Sequence, residues 1–374
     1  MPRDRPRPVA GLCSQQRRGC RLMIRYKGAV WYPVIITAGV IAASSATAGT
    51  AGAGIVPAGP ARPASMTGIL AGVAARSARS AFAVGNTEAN TMMILRWNGT
   101  RWTRVPGPQP SAGLLTAVAT TSATNAWAVG WTQASTALIL RWNGTTWKPA
   151  PGNGLAGDIL AAVTATSARN AWAAGGYGQG AVILHWNGLA WKRALFPGMS
   201  LNGLAARDAR DAWAVGATGA ARPLILHWNG TTWARAHTPR SLRGTLYSVI
   251  ATSARNAWAT GQTTSGTSLI LHWNGTAWAQ APGPRLQGAV LLSVAACSAA
   301  SAWAVGYTGV GSLILHWNGS IWTRVPSPGS AGAALQSVAA PTAGAAFAVG
   351  YTSSLNPLIL RWNGTAWTAQ HVTS

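Results

Sequence analysis

Short apolar runs alternate with turn-forming residues along most of the chain, and one of them returns almost unchanged. An aliphatic stretch, a basic residue or His, Trp, Asn-Gly and a second Trp appear as MILRWNGTRW from Met93, LILRWNGTTW from Leu138 and VILHWNGLAW from Val182. They return as LILHWNGTTW from Leu224, LILHWNGTAW from Leu269, LILHWNGSIW from Leu313 and LILRWNGTAW from Leu358. The opening Trp of each copy is Trp97, Trp142, Trp186, Trp228, Trp273, Trp317 or Trp362, so successive copies lie 45, 44, 42, 45, 44 and 45 residues apart. A period of this size marks a repeat architecture, in which each unit covers the apolar face of the next.

Each copy contains four β-like segments separated by turn signals. The first is Leu-x-x-Val, as at Leu246 to Val249. The second is a NAWAVG-like run whose aromatic falls nine residues later: Phe82, Trp127, Trp172, Trp213, Trp258, Trp303 or Phe347. The third is the aliphatic stretch, and the fourth carries Trp102, Trp147, Trp191, Trp233, Trp278, Trp322 or Trp367. Asn-Gly between apolar strands predicts a type I′ hairpin, with positive φ at both residues. Its two flanking Trp would then share a face and pack diagonally. A four-stranded sheet that is apolar on both faces needs neighbours on both sides, and a closed ring of seven supplies them. The expected fold is therefore all-β, a seven-bladed β-propeller of four-stranded antiparallel blades, with the first strand at the axis. A β-solenoid is the rival, and four-strand units of this length fit blades better than coils.

The repeats fill residues 69–374 without a linker-length break, so one large domain is expected despite the 374-residue length. Residues 23–48 run from a basic start through an apolar stretch to Ala46-Thr47-Ala48, the layout of a secretory signal, with an uncleaved membrane anchor as the alternative. The expected division is a leader and signal at 1–48, with Met23 as an alternative start, a Gly/Ala/Pro-rich linker at 49–68, and the propeller. The protein is then expected to be secreted or at the cell surface, touching membrane only through an uncleaved leader. Of three Cys, only Cys297 follows the leader. It stands where other copies carry Thr, as at Thr252, which suggests a small buried side chain and no disulfide within the mature chain.

The SARNAWAVG and LILHWNGTxW words resemble the tandem repeats of secreted bacterial propellers, related loosely to kelch and galactose-oxidase central domains. The resemblance covers about four fifths of the chain. It implies the fold more than an activity, because the kelch double glycine occurs only at Gly175-Gly176. Copper-radical chemistry of the galactose-oxidase kind finds no matching residues, since the His are dispersed and Cys297 lies in a predicted strand.

Charge changes the picture in two ways. Acids are scarce: after the leader only Glu88, Asp158, Asp208 and Asp211 remain, and a glycosidase needs a converging carboxylate pair. Asp208 and Asp211 read as turn residues, while Glu88 and Asp158 fall in inter-strand loops of different blades. No catalytic residue and no cofactor is assigned. His185, His227, His272 and His316 resemble a metal set, but equivalent third-strand positions in neighbouring blades are about 15 Å apart, whereas zinc–nitrogen bonds are about 2.1 Å. With Arg96, Arg141 and Arg361 in the same slot, they read as hydrogen-bonding or aromatic-stacking groups rather than metal ligands. Six Asn-Gly-Thr/Ser sequences match the glycosylation pattern, but the turn already explains them.

The second change is an excess of cations, 29 Lys plus Arg against 5 acids, for a net charge of +24. Chain connectivity places the first-to-second and third-to-fourth turns on one face of the ring. That face is basic, with Arg76, Arg79, Arg169, Arg207, Arg210 and Arg255 in its first turns and Arg96, Arg141 and Arg361 near the strand ends. Such a field attracts anionic polymers, and glycans or cell-wall polymers fit an exported protein. Nucleic acid fits the charge alone and finds no motif, and GC-rich coding bias is the competing explanation for the Arg. The opposite face holds the loops that vary in length and sequence, where Trp131, Tyr307 and Tyr351 are candidate ligand contacts. The expected function is non-catalytic binding or scaffolding by a monomer. The alternative is a propeller enzyme, hydrolase or oxidase-like, with a site built from the variable loops.

Overall fold

The computed structural model describes residues 67–373, apart from 109–112, 151–156, 179 and 329–330. The expected leader and signal, and most of the expected linker, lie outside the described residues. Seven four-stranded antiparallel sheets follow one another along the chain, at 68–104, 114–149, 158–197, 199–235, 244–280, 290–325 and 334–370. They are blades 1 to 7. Within each, the strands lie side by side in sequence order, and the first strands of all seven line an axial channel of about 380 Å³. This is the seven-bladed propeller that the spacing predicts.

The aromatic residues explain how the blades hold together. The two Trp flanking each Asn-Gly are paired directly across the strands, as Trp97 with Trp102 and Trp273 with Trp278, rather than diagonally. The second-strand aromatic of the preceding blade then wedges against that pair. Trp213 of blade 4 meets Trp273 and Trp278 of blade 5 at 5.3 Å, edge-on to the latter. Phe82 serves blade 2 in the same way, and Phe347 of blade 7 closes the ring on Trp97 and Trp102 of blade 1. Six of the seven interfaces carry this triad; between blades 3 and 4, Trp172 shares a hydrophobic cluster with Trp228 and Trp233, and His185 lies between it and Trp228. Each such ring removes about 150–250 Å² from water.

Near the axis every first strand carries a bulge, between Leu70 and Gly72 in blade 1 and between Leu291 and Ser293 in blade 6. The bulge brings the first-strand backbone against the glycine that ends the AWAVG run. A Cβ on Gly306 would overlap the Val290 carbonyl oxygen, and six other blades repeat that overlap. After the bulge, Ser248, Ser293 and Ser337 each accept a hydrogen bond from a backbone N–H of the following blade, at 3.1–3.2 Å. The last of these, from Val73 to Ser337, crosses the closing seam. The seam gains a further strand: Val372–Thr373 pairs in parallel with Trp102–Arg104 at the outer edge of blade 1.

The Asn-Gly turn corrects the expectation of a type I′ hairpin. Only the glycines adopt positive φ, between 99° and 105°, and the loop between the paired Trp holds four residues. Asn accepts instead of twisting: Asn274 Oδ1 receives Thr276 N–H, Thr276 Oγ1–H and Ala277 N–H at 2.8–3.0 Å. The side chain of Asn thus replaces the backbone geometry that a two-residue turn would need.

Candidate functional site

The face of invariant turns is assembled from these same parts. Each turn Trp donates its indole N–H to a carbonyl in the first turn of its own blade, as Trp97 to Ala78 and Trp273 to Ala254, both at 3.0 Å. Beside that carbonyl stands the turn residue on which the turn glycine rests: Arg79, Arg169, Arg210 and Arg255 in blades 1, 3, 4 and 5. Blades 2, 6 and 7 carry Thr124, Ala300 and Gly344 there. Arg76, Arg79, Arg169, Arg207, Arg210 and Arg255 are exposed, while Arg96, Arg141 and Arg361 are half-buried. The exposed field therefore centres on blades 3 to 5, with a separate contribution from blade 1. Asp208 and Asp211 lie among these Arg. Asp211 is held by Arg207 at 2.6 Å and by His227 at 3.0 Å.

The slot before each turn Trp behaves as a stacking position. His185, His227, His272 and His316 lie over the second-strand Trp of their own blades, at centroid distances of 4.0–4.6 Å. Arg141 sits 5.0 Å from the Trp127 ring. Arg96 and Arg361 reach into the next blade, over Trp142 and Trp97, at 5.6 and 5.5 Å. His185 and His272 are further fixed by Asn170 and Asn256. Each Asn amide donates to a Thr, leaving Oδ1 to accept from the imidazole Nε2–H at 2.8 Å. Cys297 occupies this Thr position in blade 6, half-buried, 3.9 Å from the Ser301 carbonyl. Burial pushes His185, His272 and His316 below the ordinary imidazole value, with Lys192 adding to the effect at His185. The lowered values favour the neutral ring in these three.

The opposite face is more ordered than its sequence variety suggests. At six of seven interfaces a carbonyl of the second-to-third-strand loop accepts an N–H from the glycine entering the next blade. Examples are Asn90 from Gly113, Ala221 from Gly244, Gly266 from Gly288 and, at the seam, Leu355 from Gly68. The exception is the passage from blade 3 to blade 4. There the fourth strand runs on for seven residues, Trp191–Pro197, and only Gly198 separates it from the next blade. This accounts for the short 42-residue spacing.

Trp131, Tyr307 and Tyr351 stand at equivalent positions, each directly after the glycine that ends the AWAVG-like run of blades 2, 6 and 7. Trp131 and Tyr307 are half-buried, and Tyr351 is only 9% exposed. A recess of about 460 Å³ on blade 6 is lined by Val310, Arg324 and Ser327 among others, and by none of these three aromatics. Asp158, read from sequence as a loop residue, opens the first strand of blade 3. It is fully buried against Arg193 at 2.6 Å, and Arg193 in turn lies 4.0 Å over the Tyr177 ring. Burial pushes its carboxyl up, and the Arg193 partner works against that shift. Glu88 is exposed in blade 1.

No family model and no curated protein matches the chain. Solved structures do. The chain is similar to YCF48 bound to D1 peptide, at TM-score 0.56 and 15% identity, covering 83% of this chain and 95% of that one. It is similar to the BP39L lectin from Burkholderia pseudomallei, at 0.59 and 12%, covering 82% and 99%. The fucose-specific lectin from Aleuria aurantia follows at 0.51 and 12%, covering 83% and 97%. At these identities the likeness is one of fold: a propeller among propellers.

Proposed function

We propose that this protein is a non-catalytic binding or scaffolding propeller, exported from the cell, whose invariant-turn face holds anionic glycans or wall polymers. The observation that carries the reading is the exposed Arg field of blades 3 to 5, in which the neighbouring Asp211 is already occupied by Arg207 and His227. Two of the similar structures are named as lectins and one is named with a bound peptide, which supports a binding role for the architecture. Kinship with secreted bacterial propellers of the kelch and galactose-oxidase kind is inferred from the repeat words alone, and export from residues 23–48. Mass spectrometry of the exported form is expected to find an amino terminus near Gly49, and the full leader retained in membranes would mean an anchor.

The binding test uses a variant with Arg76, Arg79, Arg169 and Arg255 changed to Ser, which leaves the Trp triads intact. At about 0.5 kcal/mol for each solvated charge contact, four losses weaken polyphosphate binding roughly 30-fold. Affinity for the wild type falls steeply with salt. Unchanged binding in the folded variant would remove the basic face from consideration.

A further inference from the structure

The seven turn Trp differ in exposure, and the difference follows the slot residue of the preceding blade. Where that residue is Arg, the next turn Trp is shut: Trp97 after Arg361, Trp142 after Arg96 and Trp186 after Arg141 are 3%, 2% and 3% exposed. The guanidinium lies over Trp97 and Trp142, and in the third case donates to Ala168 O, the carbonyl that also receives the Trp186 indole N–H. Where the slot holds His, the shorter side chain leaves the next ring more open. Trp228, Trp273 and Trp362 are partly exposed, and Trp317, at 8%, is the least open of the four. His185 stacks on Trp172 of its own blade and approaches Trp228 only tilted, at 5.9 Å.

The blade 3–4 interface thus presents a partly exposed indole beside an imidazole, and Trp273 is partly exposed at the equivalent position between blades 4 and 5. His185 Nε2–H donates to Asn170 and His227 Nε2–H to Asp211, which leaves Nδ1 of each ring with no hydrogen-bond partner among the described residues. Both interfaces carry cations as well. Arg210 directly follows Ala209, whose carbonyl holds the Trp228 indole, and Arg255 follows Ala254, which holds Trp273. The corresponding positions beside Trp317 and Trp362 are Ala300 and Gly344.

We propose that the recesses between blades 3 and 4 and between blades 4 and 5 each seat one sugar ring of a carboxylate-bearing polysaccharide. This deepens the anionic-glycan reading above and rests on it. The indole takes the apolar face of the pyranose, the imidazole Nδ1 shares a hydrogen bond with a sugar hydroxyl, which can donate or accept, and Arg210 or Arg255 takes the carboxylate as a charge-assisted pair. Equivalent positions on adjacent blades are about 15 Å apart, so a single sugar fills one recess and a longer chain bridges two, gaining affinity through effective concentration.

The test installs the residue that closes the recess elsewhere in the ring. H185R/H227R adds positive charge while covering Trp228 and Trp273, as Arg does in blades 1, 2 and 7. Two probes are compared: oligogalacturonate, which has sugar rings and carboxylates, and polyphosphate, which has charge alone. The expected result is at least a tenfold loss of oligogalacturonate affinity in H185R/H227R, with polyphosphate affinity equal or higher. In the wild type, oligogalacturonate is expected to protect Trp228 and Trp273 from N-bromosuccinimide oxidation, and Trp362 not. Undiminished oligogalacturonate binding by the variant overturns the recesses and leaves the basic-face reading standing. A wild type that binds neither probe overturns both.

Discussion

Gly306 and Gly309 lie three residues apart in one hairpin, and alanine at the two positions is expected to act in opposite directions. Replacing glycine normally stabilises by about 0.4–1 kcal/mol, because the unfolded chain loses freedom, provided the native backbone accepts a side chain. At Gly309 no atom lies within 4 Å of an added Cβ and φ is not in the left-handed region, so the G309A variant is expected to gain about that amount. At Gly306 the added carbon overlaps the Val290 carbonyl oxygen and lies 2.9 Å from its carbon and 3.0 Å from Leu291 Cα, all of them backbone. The strands must part there, beside a bulge that already lacks regular pairing, and Leu291 at 0% exposure shifts with them. Weakening one or two buried backbone hydrogen bonds costs about 1–3 kcal/mol, to which lost packing adds about 1 kcal/mol, against a gain below 1 kcal/mol from the unfolded state. Guanidinium unfolding followed by Trp fluorescence, with midpoints compared at equal slope, reads both variants. A G306A protein as stable as wild type would refute the close-approach account, and G309A falling as far as G306A would refute the contrast between the sites.

Phe347→Ala empties the aromatic wedge at the closing seam, a fully buried ring in contact with Trp97 and Trp102, and is expected to cost about 3–5 kcal/mol by chemical denaturation; a loss below 1 kcal/mol would mean the seam is held elsewhere. Acidification is expected to lower thermal stability: burial depresses His185, His272 and His316 in the folded state, so their contribution is complete above about 6.5 and is lost as pH falls toward their folded values. Burial of Asp158 acts with the opposite sign, so the informative comparison is between wild type and H185R/H272R/H316R across pH 7.5 to 5; identical slopes would refute the assignment.

The features legible in the sequence were those written by side chains at fixed intervals. Seven copies at spacings of 42 to 45 residues gave the blades, and the choice of His or Arg before each turn Trp gave the stacking slot. What escaped was carried by backbone or by the choice of neighbour. Nothing in AWAVG says that its aromatic crosses to the next blade's Trp pair instead of staying on its own. Asn-Gly is the same dipeptide whether its Asn twists, as a two-residue turn requires, or accepts three hydrogen bonds, as Asn274 does. The loop carbonyls of Asn90, Ala221 and Leu355 bind across interfaces through an atom that every residue possesses, so loops of unrelated sequence perform one task. Asp158 read as a loop residue because its partner Arg193 lies 35 residues away, in an outer strand whose length the repeat did not foretell. The open and closed turn Trp were within reach, since side-chain length in the slot decides them, but only once adjacent blades were known to share that contact.

The strand at Val372–Thr373 has a bearing on how the chain is made. It pairs with Trp102 and Thr103, 270 residues earlier, and closing a loop of that length costs roughly 5 kcal/mol in chain entropy. Strand pairing within a blade is local in sequence, yet the first blade's Leu70 and Val73 find their partners Phe347 and Val349 only after the intervening blades have been synthesised. Throughout elongation the growing arc therefore carries two uncovered apolar ends, one fixed at blade 1 and one moving with the newest blade. Premature release after any blade but the last leaves both ends bare, which makes truncated chains the species most prone to associate with one another or to occupy a chaperone.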